Sequence, residues 1–322
     1  MKTIFSRLNL PGLFAAAAAG LLPAALRADE GAGGHYMPGA TASFIDALPG
    51  KPSFVVANLF TYYDGSAGVS RPILFGGQAT VNAHATAYAD TIVGLYQTPV
   101  QLLGGNYAAG IAIPFISLKV DATITAGPRA GAARDTTSGL GDIMLMPFML
   151  GWTNGPDFKY DVRLGIYAPS GDYDVGKLAN AGRNYWTFEP GVSVSWLSTK
   201  IGTEVTVFSG LDFNTKNNAT DYQSGTSFHL EGTVAQHLPL GKAGIIGVGA
   251  NGFLYQQISG DSGNGATLGS FEGRSAGVGP VISFVTKIGK TDLAAEVKWL
   301  PELNVNNRLK GDTIWFKVGL VF

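Results

Sequence analysis

The feature that most constrains this chain is a two-residue alternation of apolar and polar side chains, repeated in segment after segment. In Ile201 to Phe213 one set is Ile201, Thr203, Val205, Val207, Ser209, Leu211 and Phe213, interleaved with Gly202, Glu204, Thr206, Phe208, Gly210 and Asp212. Successive side chains of an extended strand point to opposite faces, so such a segment reads as a strand with one apolar face. Phe158, Tyr160, Val162, Leu164 and Ile166 alternate in the same way with Lys159, Asp161, Arg163, Gly165 and Tyr167. Trp186, Phe188, Val192, Val194 and Trp196 alternate with Thr187, Glu189, Ser193 and Ser195, and the final run sets Ile314, Phe316, Val318, Leu320 and Phe322 against Thr313, Trp315 and Lys317. No later stretch carries a sustained apolar stripe at helical spacing, and none is long enough to cross a membrane as a helix.

Soluble sandwiches alternate as well, so the spacing of the segments decides the class. Strands are expected near 53–63, 82–97, 106–119, 140–152, 158–168, 185–197, 201–213, 225–237, 243–257, 272–287, 291–300 and 312–322. Long gaps fall near 64–81, 120–139, 169–184, 214–224, 258–271 and 301–311. Short ones such as Thr153–Asp157, Ser198–Lys200, Leu238–Lys242 and Ile288–Lys290 lie between them. A closed antiparallel transmembrane β-barrel of about twelve strands, with short periplasmic turns and longer outer loops, produces this rhythm. Trp152, Trp196 and Trp299 fall at expected strand ends, where amphipathic rings favour the membrane interface. Pro114, Pro147, Pro190 and Pro280 sit inside expected strands and point to bulges, because proline removes a ladder hydrogen bond.

Charged residues make up only 14% of the chain and the net charge is -1, which gives no electrostatic basis for binding nucleic acid. Cysteine is absent, so disulfides, thiolate metal sites and thiol nucleophiles are excluded together. Lys2 and Arg7 precede an Ala-rich apolar stretch from Leu13 to Leu22, and Ala28 stands before Asp29-Glu30. Residues 1–28 therefore read as a secretory signal peptide, cut after Ala28 or alternatively after Ala25. The expected destination of the mature chain is the outer membrane of a Gram-negative cell. There its partners would be lipid, a small-molecule solute and the barrel-assembly machinery, the last engaged through the C-terminal strand ending at Phe322.

Residues 29–52 are open to two readings, a plug folded into the lumen or a free periplasmic tail. Tyr36, Met37, Phe44 and Ile45 favour the plug, since they would be awkward on a tail in water. Residues 53–322 make up the barrel.

Several short motifs mark strand and loop geometry. Gly139-Leu140-Gly141-Asp142 opens a strand that continues through Pro147 to Gly151-Trp152. Pro169-Ser170-Gly171-Asp172-Tyr173-Asp174 follows a strand, and Gly182-Arg183-Asn184-Tyr185-Trp186 opens the next, with Tyr222, Ser224-Gly225 and Phe228 further on. In this order, over roughly residues 40–322, the chain resembles the SphA-like, phenol meta-pathway degradation family of outer-membrane transporters. The resemblance implies a barrel and a role in transporting compounds of aromatic degradation. It brings no binding residues with it.

Charges belong inside such a barrel, because Arg or Lys on the lipid face at the midplane costs about 2–4 kcal/mol. Arg163, Glu204, Glu231, Glu296 and Lys317 are expected at similar depth in the lumen, either as a selective constriction or as a structural ion-pair layer paired across strands. Tyr167, Phe208, Phe253, Tyr255 and Trp315 are expected to face inward and could line a ligand path. Gly247-Val248-Gly249-Ala250-Asn251-Gly252 has dinucleotide-like spacing but lies within a strand, not at a helix N-terminus, so no cofactor follows. Asp172, Asp174 and Asp261 in loops lack the spacing of a calcium-binding loop. His229 and His237 lie eight positions apart on one strand, too far for a shared metal site, and the sequence offers no other metal site. The reading is a non-enzymatic channel for passive uptake of small hydrophobic or aromatic compounds. The alternative is a structural or adhesion barrel, and third comes a hydrolase built on Ser227 and His229.

Overall fold

The computed structural model describes residues 33–322 except Arg71, Gly127, Pro128 and Phe271. The expected signal peptide lies outside the described residues. Among those residues, strands run as β1 Ser53–Ala67, β2 Ile73–Phe75, β3 Gln78–Leu102, β4 Gly105–Ala126, β5 Arg129–Leu140, β6 Met144–Asn154 and β7 Phe158–Tyr167. They continue as β8 Thr187–Leu197, β9 Thr203–Asn214, β10 Ser227–Pro239, β11 Ile245–Gln257, β12 Arg274–Ile288, β13 Thr291–Asn306 and β14 Lys310–Val321.

All belong to one antiparallel sheet, and pairing of β3 with β4 and of β1 with β14 makes it a ring. Twelve strands form that ring. The short β2 folds back on the start of β3, and β5 pairs only with the upper half of β4. β5 and β6 are one strand interrupted at Gly141–Ile143: Leu140 pairs with Phe115 and Met144 with Ala112 on the same neighbour. The seam is sealed at its lower end by reciprocal backbone hydrogen bonds between Phe54 and Phe322.

The alternation sorts as its chemistry dictates. Phe158, Tyr160, Phe188, Val192, Val194, Val205, Val207, Val297, Ile314 and Phe316 are exposed, while Glu189, Ser193, Glu204, Thr206, Glu296, Lys298 and Lys317 are buried. In water that pattern would be inverted, and around a closed barrel it is a lipid-facing apolar surface over a polar lumen.

Three expected loops are largely strand instead, and β1, β2 and β3 cover most of 64–81. β4 and β5 extend through most of 120–139, and β13 and β14 reach to within three residues of each other across 301–311. Polar residues are mixed with small and apolar ones there, and continued ladder pairing satisfies backbone groups that a loop would leave to water. Trp299 consequently lies within β13 rather than at its end, with Nε1 donating to Asp312 at 2.9 Å. Of the four strand prolines only Pro147 lies at a register shift, between Leu145 and Phe148. Pro114 sits where β4 exchanges β6 for β5 as its partner, and Pro190 and Pro280 interrupt the ladders to β9 and β13 without changing their register.

The outer end is covered. From the loop between β7 and β8, Leu178 and Ala179 pack on Ile73 and Phe75 of β2 and on Ala83, Ala85 and Val120 of the wall. Their amides both donate to Asp135. Gly171 and Gly182 cross within this loop so closely that a Cβ on Gly171 would lie 2.7 Å from Gly182 Cα. The next two loops are joined by the buried Asp261, which accepts from Tyr222, the Gly225 amide and Gln257.

Candidate functional site: the lumen and its N-terminal segment

Residues 35–50 run along the inside of the barrel from its outer end to its periplasmic end. At the top, His35 hydrogen-bonds Thr187 at 2.7 Å and Asp142 at 2.9 Å and stacks on Tyr167. At the bottom the Gly50 amide donates to Gln97 at 3.1 Å, and Leu48 packs among Ala108, Ala112, Met146 and Met149. A single 3-10 turn at Phe44–Asp46 is the only helical element of this stretch.

A chain threaded through a lumen in extended form has no ladder partners, so the wall must supply them. Glu231 of β10 accepts from four groups: the Tyr36 hydroxyl at 2.8 Å, the Gly39 amide, and the Thr41 amide and hydroxyl. Glu204 of β9 accepts from the Phe44 amide at 2.7 Å and pairs with His237 at 2.8 Å. Lys298 donates to the carbonyls of Gly39 and Thr41, and Lys317 donates to that of Ala40 at 2.9 Å and pairs with Asp46. Trp315 Nε1 donates to the Pro38 carbonyl at 2.7 Å. Glu296 lies between the two lysines, 3.2 Å from each. Buried charges persist when paired, and each of these is: Glu204, Glu231, Lys298 and Lys317 through hydrogen bonds, Glu296 through its two lysines.

The five charges expected in the lumen are all inside. Glu204, Glu231 and Lys317 touch the segment directly, and Glu296 acts on it through the lysines. Arg163 pairs instead with Asp161 two positions along its own strand, at 2.7 Å, and covers the face of Phe208. Sequence reasoning foresaw pairing between strands but not a third partner, the N-terminal segment itself. It also passed over Lys298 and Asp46, although Lys298 lies on the same strand face as Glu296.

The five aromatics also face inward. Tyr167 holds His35, Trp315 holds Pro38, and Phe253 packs with Leu300 and Trp315 against Met37 and Ala40. Tyr36 stacks on His229 at 3.9 Å and on Tyr255 at 6.1 Å, nearly parallel to both rings. The resulting arrangement is a phenol ring laid on two aromatic rings with its hydroxyl donating to a buried carboxylate.

Asp142, in the break between β5 and β6, gathers His35 and the amides of Gly171 and Arg183. The Gly139–Asp142, Ser170–Gly171 and Gly182–Arg183 motifs thus meet around one side chain. Ser227 donates to Asp212 at 2.9 Å, so its hydroxyl hydrogen is directed to that carboxylate and not to His229. The glycines of 247–252 lie within β11, where a Cβ on Gly247 would be 2.6 Å from the His237 ring and one on Gly249 2.5 Å from Ala235 Cα.

A family model described as "Putative MetA-pathway of phenol degradation" matches residues 70–318. No curated protein matches the sequence. Among solved structures the chain is similar to the COG4313 outer membrane channel from Pseudomonas putida F1, with TM-score 0.58 and 14% identity over 89% of this chain and 100% of that one. It also matches the beta domain of the Bordetella autotransporter BrkA, with TM-score 0.46 and 15% identity over 84% of this chain and 99% of that one. The first likeness is one of fold.

Proposed function

The chain belongs to the phenol MetA-pathway family, and from that premise we propose that it is an outer-membrane channel for passive uptake of small aromatic solutes carrying a hydroxyl group. The observation that carries this reading is the seat of Tyr36. Its side chain is a phenol substituted opposite the hydroxyl, and the lumen already holds such a ring on His229 and Tyr255 with the hydroxyl on Glu231. A free phenol offers the same face and the same donor. The similarity to a barrel described as an outer membrane channel supports the transport role.

In this reading the N-terminal segment is a plug. Polar contacts to four charged side chains hold most of its length, so groups released by its withdrawal can be taken over by water or solute. Solute entering from outside competes with Tyr36 for its seat and passes down the vacated path. The mature chain resides in the outer membrane and is assembled there through its C-terminal strand.

The test is solute flux into liposomes carrying the refolded barrel, with a phenolic acid compared against a sugar of matched size. Faster flux of the phenolic acid is expected, and p-cresol should compete with it. The filled lumen favours one rival, a structural barrel without transport. Absence of flux for both solutes, including after removal of residues 33–50, would establish that rival.

A further inference from the structure

Beside the seat of Tyr36, three adjacent strands bring Glu189 of β8, Asp212 of β9 and His229 of β10 to one point on the lumen wall. All three are buried, and one ligand atom from each lies within 4.8 Å of the others. His229 Nε2 stands 3.5 Å from Asp212 Oδ1 and 3.9 Å from Glu189 Oε2. Neither ring nitrogen of this fully buried imidazole makes a hydrogen bond, and neither does Asp212 Oδ1. Buried polar atoms left in this state are costly unless something satisfies them.

We propose that Glu189, Asp212 and His229 form a binding site for a divalent first-row transition metal ion of the Zn2+ type. The geometry is that of ligands around an ion rather than of groups bonded to each other. Oxygen and nitrogen ligands at about 2.0–2.2 Å from a tetrahedral metal lie roughly 3.3–3.6 Å apart. The first separation falls in that range and the second needs only a small side-chain adjustment. One imidazole and two carboxylates suit such an ion, and its charge balances the two carboxylates.

The surroundings orient the ligands as a metal site requires. Tyr167 donates to Glu189 at 3.0 Å and Ser227 to the other oxygen of Asp212, fixing both carboxylates. Gly210, opposite His229 in the ladder, leaves room for the ring: a Cβ there would lie 2.5 Å from His229 Cε1 and 2.7 Å from Nε2. Tyr36 covers the face of the imidazole and leaves its edge to the two carboxylates. This site does not depend on the channel reading.

The experiment is Zn2+ titration by calorimetry of the refolded barrel after dialysis against a chelator, with Co2+ absorption spectra in parallel. The expected result is one ion per barrel. Affinity should fall at least tenfold in Asp212→Asn, which keeps an acceptor for Ser227, and in His229→Gln. The Co2+ ligand-field bands should be lost in the same variants. His84→Gln, which removes an exposed histidine paired with Asp64, should leave binding unchanged. Variants are scored only when heat-modifiable gel migration shows a folded barrel, and Asp212→Asn alone decides if His229→Gln does not fold. No uptake by the parent, equal uptake by Asp212→Asn, or loss of binding in His84→Gln would each overturn the proposal.

Discussion

Glu231 concentrates the lumen's chemistry in one side chain, because four donors of the N-terminal segment converge on it. Replacing it with Gln keeps the shape, removes the charge and faces those donors with one fewer acceptor oxygen. Hydrogen bonds to a charged group are worth about 1.5–3 kcal/mol each, so Glu231→Gln should release the segment substantially. The chain contains no cysteine, so Thr41→Cys supplies a unique reporter. In the parent background it should resist a membrane-impermeant maleimide, and with Glu231→Gln it should react many times faster. Equal rates would show that Glu231 does not anchor the segment. Gly39 tests the same seat by shape: its φ is +95, and an added Cβ would lie 2.5 Å from Trp315 Cδ1 and 2.6 Å from Leu300. Gly39→Ala should therefore expose the same cysteine without altering any charge. At this scale the sequence was legible in phase but not in partnership. Alternation put Glu204, Glu231, Glu296 and Lys317 inside, because a strand has only two faces. Their partner arrives from 160 or more positions away for Glu204 and Glu231, and no periodicity encodes a contact of that kind. Glu189, Asp212 and His229 were missed for a related reason: each is an ordinary lumen residue on its own strand, and only the register of three strands makes them neighbours.

Among the elements, the break between β5 and β6 joins most to function. It turns Asp142 inward, where one carboxylate ties the outer loop to the N-terminal segment. In Asp142→Asn the reporter and the loop at 169–184 should be loosened at neutral pH, read by maleimide rate and by proteolytic nicking of the loop. The sequence displayed this element as GLGD and SGD motifs without saying what they were for. Their glycines permit two backbone segments to cross, and the aspartate uses the amides so exposed. The same scale explains the three misjudged loops. The gaps in alternation at 64–81, 120–139 and 301–311 read as loop, whereas strands that rise beyond the lipid lose their apolar face and keep their ladder.

Over the whole molecule, the barrel and its contents separate cleanly. Ladder hydrogen bonds close the ring without help from residues 33–50, so a chain lacking them should still give a heat-modifiable barrel with a wider conductive path. Single-channel recording should show larger and steadier current for that chain than for the parent, and unchanged current would mean that the outer loops close the path by themselves. Phe208→Ala with Trp315→Ala should reduce the preference for aromatic solutes over sugars in the liposome assay while leaving the barrel assembled. An unchanged preference would place selectivity elsewhere in the lumen. The class of the fold was readable from the chain because strand length, alternation and the rhythm of turns all derive from one cause, a bilayer of fixed thickness with polar backbone to satisfy. The filling of the lumen has no such external ruler.

The seam between β1 and β14 also imposes an order of events. Residue 52 leads straight from the lumen into β1, and β1 meets the last strand of the chain along its full length, from Val55 with Val321 to Ser66 with Lys310. Until β14 has been made there is no inside for the segment to occupy. Once the seam is zipped, entry is restricted to threading through the mouths. The time between synthesis of the final strand and closure of the ring is the interval in which the segment can be laid down sideways. A barrel closed too early would be complete in every ladder and still carry its N-terminal segment on the wrong side of the wall.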